Sequence, residues 1–120
     1  MHEVGIAQAL LARAQAAIPA GDSAQVTVLH LRLGALAGLS PAELEFGFEV
    51  AAAGTPFAGA RLEIELLPAM IHCPHCQADA TVSGNDLPQC PACGAFVSQF
   101  VQGKELQLVS LEVADEHQRN

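Results

Sequence analysis

The residues with the most chemistry in this 120-residue chain are four cysteines set as two Cys-x-x-Cys pairs. Cys73 and Cys76 form one pair, Cys90 and Cys93 the other, with thirteen residues between Cys76 and Cys90. Two intervening residues place both thiolates on one side of a tight turn, and a second such turn completes a tetrahedron around Zn²⁺ at about 2.3 Å per bond. Pro74 and Pro91 stiffen the turns after the first cysteine of each pair. Gly94 follows Cys93, where a positive φ is often needed, and Gln77 holds the equivalent place after Cys76 without that freedom. The spacing points to a structural four-cysteine zinc site, with an iron site of the same geometry or a redox dithiol pair as the alternatives. A closed shell of four thiolates leaves no position for a substrate, which argues against a catalytic metal. His72 and His75 flank the first pair, but four cysteines already supply a full ligand set, so both read as exposed loop histidines.

A second group of metal-capable atoms lies in "MHEV", at the start of the chain. The amine of Met1, the backbone nitrogen of His2 and the His2 imidazole can close two small chelate rings around one ion, and Glu3 can supply a fourth donor. Such a nitrogen-rich, planar donor set suits Ni(II) or Cu(II) and is poor for Mg²⁺ or Ca²⁺. The alternative is a frayed terminus in which Glu3 simply favours the first turn of a helix. His30, in a strand, and His117, in the tail, have no partner pattern and read as structural or solvent-exposed.

These residues must be positioned by a small set of elements. Val4, Ala7, Leu11, Ala14 and Ile18 repeat at steps of three and four, which predicts an amphipathic helix from His2 to about Ala20, stopped by Pro19 and Gly21. "QVTVLHLRLG" alternates, with Thr27, Leu29, Leu31 and Leu33 on one side and Val26, Val28, His30 and Arg32 on the other, as a half-buried strand would. Ser40 as N-cap, Pro41 at the first helical position and Glu43 closing a capping box predict a second helix from about Pro41 to Ala53. "ARLEIELLPAM" and "KELQLVSLEV" read as second and third strands. The segment between them is rich in Cys, Pro and Gly and poor in long aliphatic residues, so it needs a metal to hold it.

Length and composition set the class. One compact domain, or a small domain with an inserted mini-domain, fits this size. Half the residues are apolar, yet Trp and Tyr are absent, so Leu, Val, Ile and Ala must build the core. Thirteen acidic against five basic residues give a net charge of −8, which repels nucleic acids and anionic membrane surfaces. Residues 71–98 contain no Lys or Arg and Phe96 as their only aromatic, which removes the usual means by which a zinc module grips a nucleic acid. No stretch has the length and apolarity of a membrane span, and paired thiols suited to metal fit a reducing compartment, so a soluble, cytoplasmic protein is expected.

Taken together, "MHEVGIAQAL", "VTVLHLRLGALAGLSPAELEFGFE", "CPHC", "CPACG" and "GKELQLVSLEV" resemble the hydrogenase nickel-insertion accessory protein family, HypA/HybF, over essentially the whole chain. The resemblance implies an α/β fold in which two helices pack on a three-stranded β-sheet, with a zinc-ribbon-like four-cysteine loop inserted between strands. It implies an α/β nickel-binding domain over 1–70 and 99–114, a zinc-binding domain over 71–98 and a polar tail over 115–120. It also implies nickel held by His2, Glu3 and the backbone of Met1, His2 and Glu3, and structural zinc held by Cys73, Cys76, Cys90 and Cys93. The implied function is a non-enzymatic nickel metallochaperone for [NiFe]-hydrogenase, working with a hydrogenase maturation GTPase on the hydrogenase large subunit precursor, as monomer or homodimer. Some members carry a carboxylate near the start of the second helix; here Ser40 stands there and the nearest acid is Glu43. A zinc-ribbon protein–protein adaptor without nickel delivery is the rival reading.

Overall fold

The computed structural model describes residues 2–18, 25–83 and 88–114. Met1, the helix stops Pro19 and Gly21, His117 and the tail 115–120 lie outside the described residues. The elements are α1 (His2–Ala17), β1 (Val26–Gly34), α2 (Pro41–Ala52), β2 (Arg61–Leu67), β3 (Met70–Cys73), β4 (Ala78–Thr81), β5 (Phe100–Gln102) and β6 (Leu106–Val113). They make two three-stranded sheets, ordered β2-β1-β6 and β4-β3-β5. The chain divides into two compact units, Met1–Leu31, Leu39–Ile64 and Leu108–Asn120 in one, Arg32–Gly38 and Glu65–Gln107 in the other.

In the first unit α1 buries Ala7, Leu10, Leu11 and Ala14, the stripe that steps of three and four place on one helix face. α2 begins at the expected cap. The Glu43 N–H donates to Ser40 Oγ at 3.1 Å, and the Ser40 N–H donates to Glu43 Oε1 at 3.0 Å. The two reciprocal bonds satisfy donors that a helix start otherwise leaves without partners. Leu44, Gly47, Phe48 and Ala52 form the buried side of α2. Ala7, Leu11 and Ala14 meet Val26, Leu29, Phe48, Ala52 and Phe57 in one core, flanked by Leu62, Leu108 and Leu111.

β1 departs from the half-buried strand that alternation suggests. Val26, Val28, Leu29, Leu31 and Leu33 are all buried, although they come from both sides of the alternation. Val26 and Leu29 nonetheless enter the same core, so the alternation of burial shifts by one residue between Val28 and Leu29, leaving Thr27 and Arg32 exposed. The run "ARLEIELLPAM" is also not one strand. β2 ends at Leu67, ahead of Pro68, which has no N–H for a ladder, and Met70 opens β3.

In the second unit the cysteine-rich segment carries its own sheet, which its composition did not announce. β3 pairs antiparallel with β4, Ile71 opposite Ala80 and Cys73 opposite Ala78, and with β5 across an irregularity at Met70/Ile71. Its core is small: Ile71, Cys73 and Cys90, with Ala80, Val82, Val97 and Phe100 packed against them. Burying one large aliphatic side chain contributes about 2 kcal/mol. Ordering a backbone costs about 1 kcal/mol or more for every residue fixed. The core cannot offset that cost, and another interaction must.

Removing the cap should weaken α2 alone: Ser40→Ala is expected to lower stability by about 1 kcal/mol. Thermal denaturation of the variant beside the parent checks it.

Candidate metal centre

Each Cys-x-x-Cys pair sits on a turn that the local sequence enforces. Cys73 ends β3, residues 74–77 turn, and β4 returns from Ala78. The Cys76 N–H points at Cys73 Sγ, 3.4 Å away. In the second turn the Gly94 N–H donates to the Cys90 carbonyl at 2.8 Å and the Cys90 N–H to the Ala95 carbonyl at 2.9 Å. Both turns end on a left-handed residue, Gln77 at φ 53 and Gly94 at φ 81. Gln77 takes this conformation despite its Cβ, at a cost of about 1–2 kcal/mol. The shared position after the second cysteine was visible in the sequence; its shared backbone requirement was not.

The turns bring all four sulfurs within 4.8 Å of one another. Cys73 Sγ lies 3.6 Å from Cys93 Sγ, and Cys76 Sγ lies 3.9 Å from Cys90 Sγ. A tetrahedron with metal–sulfur bonds of about 2.3 Å has edges of roughly 3.8 Å, so these separations fit a metal and are far too long for a disulfide. Cys73 and Cys90 are buried, Cys76 and Cys93 exposed. Without metal the thiols share their protons unequally. Backbone N–H groups of Cys93 and Ala92 favour the Cys90 thiolate and draw its pKa down to about 7. Hydrogen bonds to Cys93 and Cys73 push Cys76 up to about 12.

The flanking histidines stand apart from the sulfurs' ligand set. His72 lies on β3 opposite Asp79, and its Nδ1 is 2.8 Å from Asp79 Oδ1. His75 is exposed in the first turn. His30 pairs with Glu112, a partner that no local pattern signals.

At the start of α1, His2 is exposed and Glu3 partly buried, with His2 Nδ1 4.0 Å from Glu3 Oε2. α2 crosses close to this turn at Gly47. A Cβ there would stand 2.5 Å from the Glu3 carbonyl oxygen, so a glycine lets the two helices meet. Glu43, one turn earlier on α2, has its carboxyl pKa lowered first by the Ser40 backbone N–H, then by the Ser40 side chain, with a smaller contribution from His2. The imidazole is therefore within electrostatic reach of Glu43, the nearest acid to the start of α2.

Known proteins resemble almost the whole of this chain. Residues 1–113 match the family model described as "Hydrogenase/urease nickel incorporation, metallochaperone, hypA". The chain belongs to the HypA family. Its similarity to the hydrogenase maturation factor HypA of Chloroflexus aurantiacus is 43% identity over 112 residues, covering 93% of this chain and 98% of that one. The HypA of Roseiflexus sp. is 43% identical over 116 residues, covering 97% and 94%. The fold resembles the solution structure of the Ni metallochaperone HypA from Helicobacter pylori, with a TM-score of 0.64 at 18% identity over 95% of this chain and 98% of that one. A second solution structure of a HypA protein gives a TM-score of 0.67 at 20% identity, covering 95% and 97%. This HypA-family chain is thus a nickel-incorporation metallochaperone with a four-cysteine metal-binding cluster.

Two measurements probe the cluster. Gly94→Ala should destabilise it by about 1–2 kcal/mol while Gln77→Gly stabilises it by up to about the same amount, read as shifts in the denaturation midpoint of metal-loaded protein. The folded second unit should also weaken in acid, read as a lower denaturation midpoint at about pH 6 than at about pH 8. The sign follows from a depressed pKa: the Cys90 contribution is present at high pH and is lost as pH falls through about 7.

Proposed function

We propose that this HypA-family protein binds Ni(II) through His2 and Glu3 with the backbone of Met1, His2 and Glu3, and delivers it to the hydrogenase large subunit precursor with the hydrogenase maturation GTPase. Nickel is the cargo. The observation that carries the reading is the exposed His2 at the start of α1, held beside Glu3 and within reach of Glu43. Three donors from one terminus satisfy an ion that prefers nitrogen, and few packed contacts must break to release it. Glu43 adds negative potential beside the imidazole, which favours a cation there. Because bound imidazole must be deprotonated, acid promotes release.

Zinc is our assignment for the four-thiolate cluster formed by Cys73, Cys76, Cys90 and Cys93. Support comes from sulfur separations suited to a tetrahedral ion and from the small apolar core around Ile71, which leaves the segment dependent on it. We assign residues 71–98 as the zinc domain and residues 1–70 with 99–114 as the nickel domain. The role is that of a carrier in the cytoplasm rather than an enzyme, working as monomer or homodimer without nucleic acid or membrane.

Titrating Ni²⁺ calorimetrically into tag-free protein, His2→Ala and protein extended ahead of Met1 tests the nickel site. Strong binding is expected in the first alone, with zinc content equal in all three. Equal nickel affinity across the set overturns the reading and leaves the zinc-ribbon adaptor. In the tag-free protein, nickel affinity should fall as pH drops from about 7.5 to about 6.

A further inference from the structure

The sulfur cluster is asymmetric in a way that holding a metal does not require. Across the two turns, Cys73 Sγ lies 3.6 Å from Cys93 Sγ, and Cys76 Sγ lies 3.9 Å from Cys90 Sγ. Each of these pairs joins a buried cysteine to an exposed one, since Cys73 and Cys90 are buried and Cys76 and Cys93 exposed. A reagent from solvent therefore meets the second cysteine of each motif first, with a buried sulfur of the other turn next to it. A disulfide bond is about 2.05 Å long, so either cross-turn pair closes with a movement of roughly 1.5–2 Å.

The alternative pairing, inside each motif, would serve the fold less well. A bond between Cys73 and Cys76, or between Cys90 and Cys93, leaves the two turns unconnected. The core of Ile71, Cys73 and Cys90 is too small to hold them together by burial. Cross-turn bonds join the same two turns that a four-thiolate metal joins. They also leave each turn as it stands, with the Cys76 N–H pointing at Cys73 Sγ and the Gly94 N–H bonded to the Cys90 carbonyl.

We infer that Cys76 and Cys93 are sites of oxidation by peroxide, and that this oxidation exchanges the bound metal for two cross-turn disulfides, Cys76–Cys90 and Cys73–Cys93. The inference rests on the zinc assignment above and is independent of the nickel site. The exposed Cys76 thiolate attacks one oxygen of hydrogen peroxide; an S–O bond forms, the O–O bond breaks, and the departing hydroxide takes a proton from solvent. Cys76 is then a sulfenic acid, oxidised by two electrons. The Cys90 thiolate attacks that sulfur, the S–S bond forms as the S–O bond breaks, and a second hydroxide leaves and is protonated. Two thiolates, one peroxide and two protons thus give one disulfide and two waters. Cys93 and Cys73 repeat the sequence with a second peroxide, and an ion stripped of its four ligands departs. A dithiol reductant reverses both steps and reopens the site to metal. The second unit is in this way a reversible, oxidation-controlled metal site whose fold outlasts the ion.

The test treats reduced, zinc-loaded, full-length protein with hydrogen peroxide. Free thiols should fall from four per chain to none while zinc passes to a colorimetric chelator. Asp79 and Asp86 lie between the two motifs, so cleavage before aspartate, in urea without reductant, frees the first pair from the second unless a disulfide joins them. In the monomer fraction the two peptides should stay linked, with Cys76 on Cys90 and Cys73 on Cys93 by tandem mass spectrometry, and should part on adding dithiothreitol. Chymotrypsin should cut the native oxidised protein within residues 71–98 about fivefold more slowly than reduced protein stripped of metal by a chelator. Peptides that separate while oxidised, or the opposite assignment of partners, overturn the cross-turn pairing. Sulfinic or sulfonic acids at Cys76 and Cys93 in place of disulfides, or equal rates of cutting, overturn the exchange of metal for disulfides. Protein that takes up no zinc before oxidation overturns the zinc assignment and the exchange together.

Discussion

Four sulfurs within 4.8 Å of one another set the terms for the second unit. Thiolates brought that close repel unless protons or a metal lie between them, and the small core around Ile71 cannot hold them there by burial. The local structure serves this constraint. Antiparallel pairing of β3 and β4 brings Cys73 opposite Ala78 at the mouth of the first turn, and hydrogen bonds among Cys90, Gly94 and Ala95 close the second. Gln77 accepts a left-handed backbone for the same purpose, at a cost that a metal bound by four thiolates readily offsets.

In the first unit burial does what the metal does in the second. The capping box fixes where α2 starts, and the helical repeat then assigns each residue a side. One side joins the core with Leu44 and Phe48. Another carries Gly47 against the Glu3 carbonyl, so that α2 supports the turn bearing His2. Precise placement of a weak, terminal donor set requires such support, because a frayed first turn would spread the donors over many conformations at an entropic cost to binding. The same helix thus supports the turn that carries the proposed nickel donors and has an apolar face beside it.

The two metal-capable groups also differ in the freedom their roles need. The cysteine cluster is closed by four ligands from two turns with two of its sulfurs buried, a design for retention. His2, the proposed nickel ligand, is exposed, which suits exchange. Retention and exchange call for opposite degrees of burial, and the sequence separates them into a paired-cysteine loop and a terminus.

Much of this was legible in the residues themselves. The Cys-x-x-Cys spacing, the Ser40/Glu43 cap, the stripe of α1 and the alternation of the strands are local patterns, and local geometry of turns, helices and strands decides them. Burial of Val26 and Val28 beside Leu29 and Leu31 was not legible, because a strict alternation cannot show where a strand shifts by one residue and turns both sets to one core. The second sheet was hidden because residues 70–73, 78–81 and 100–102 are short and become strands by pairing with one another. The electrostatic influence of His2 on Glu43 and the close approach of Gly47 to Glu3, each across about forty residues of sequence, likewise depend on packing. The sequence by itself determined which side chains can hold a metal and which helices and strands carry them. The tertiary structure alone decided which distant residues stand beside them, since that follows from how buried faces cover one another and not from any spacing along the chain.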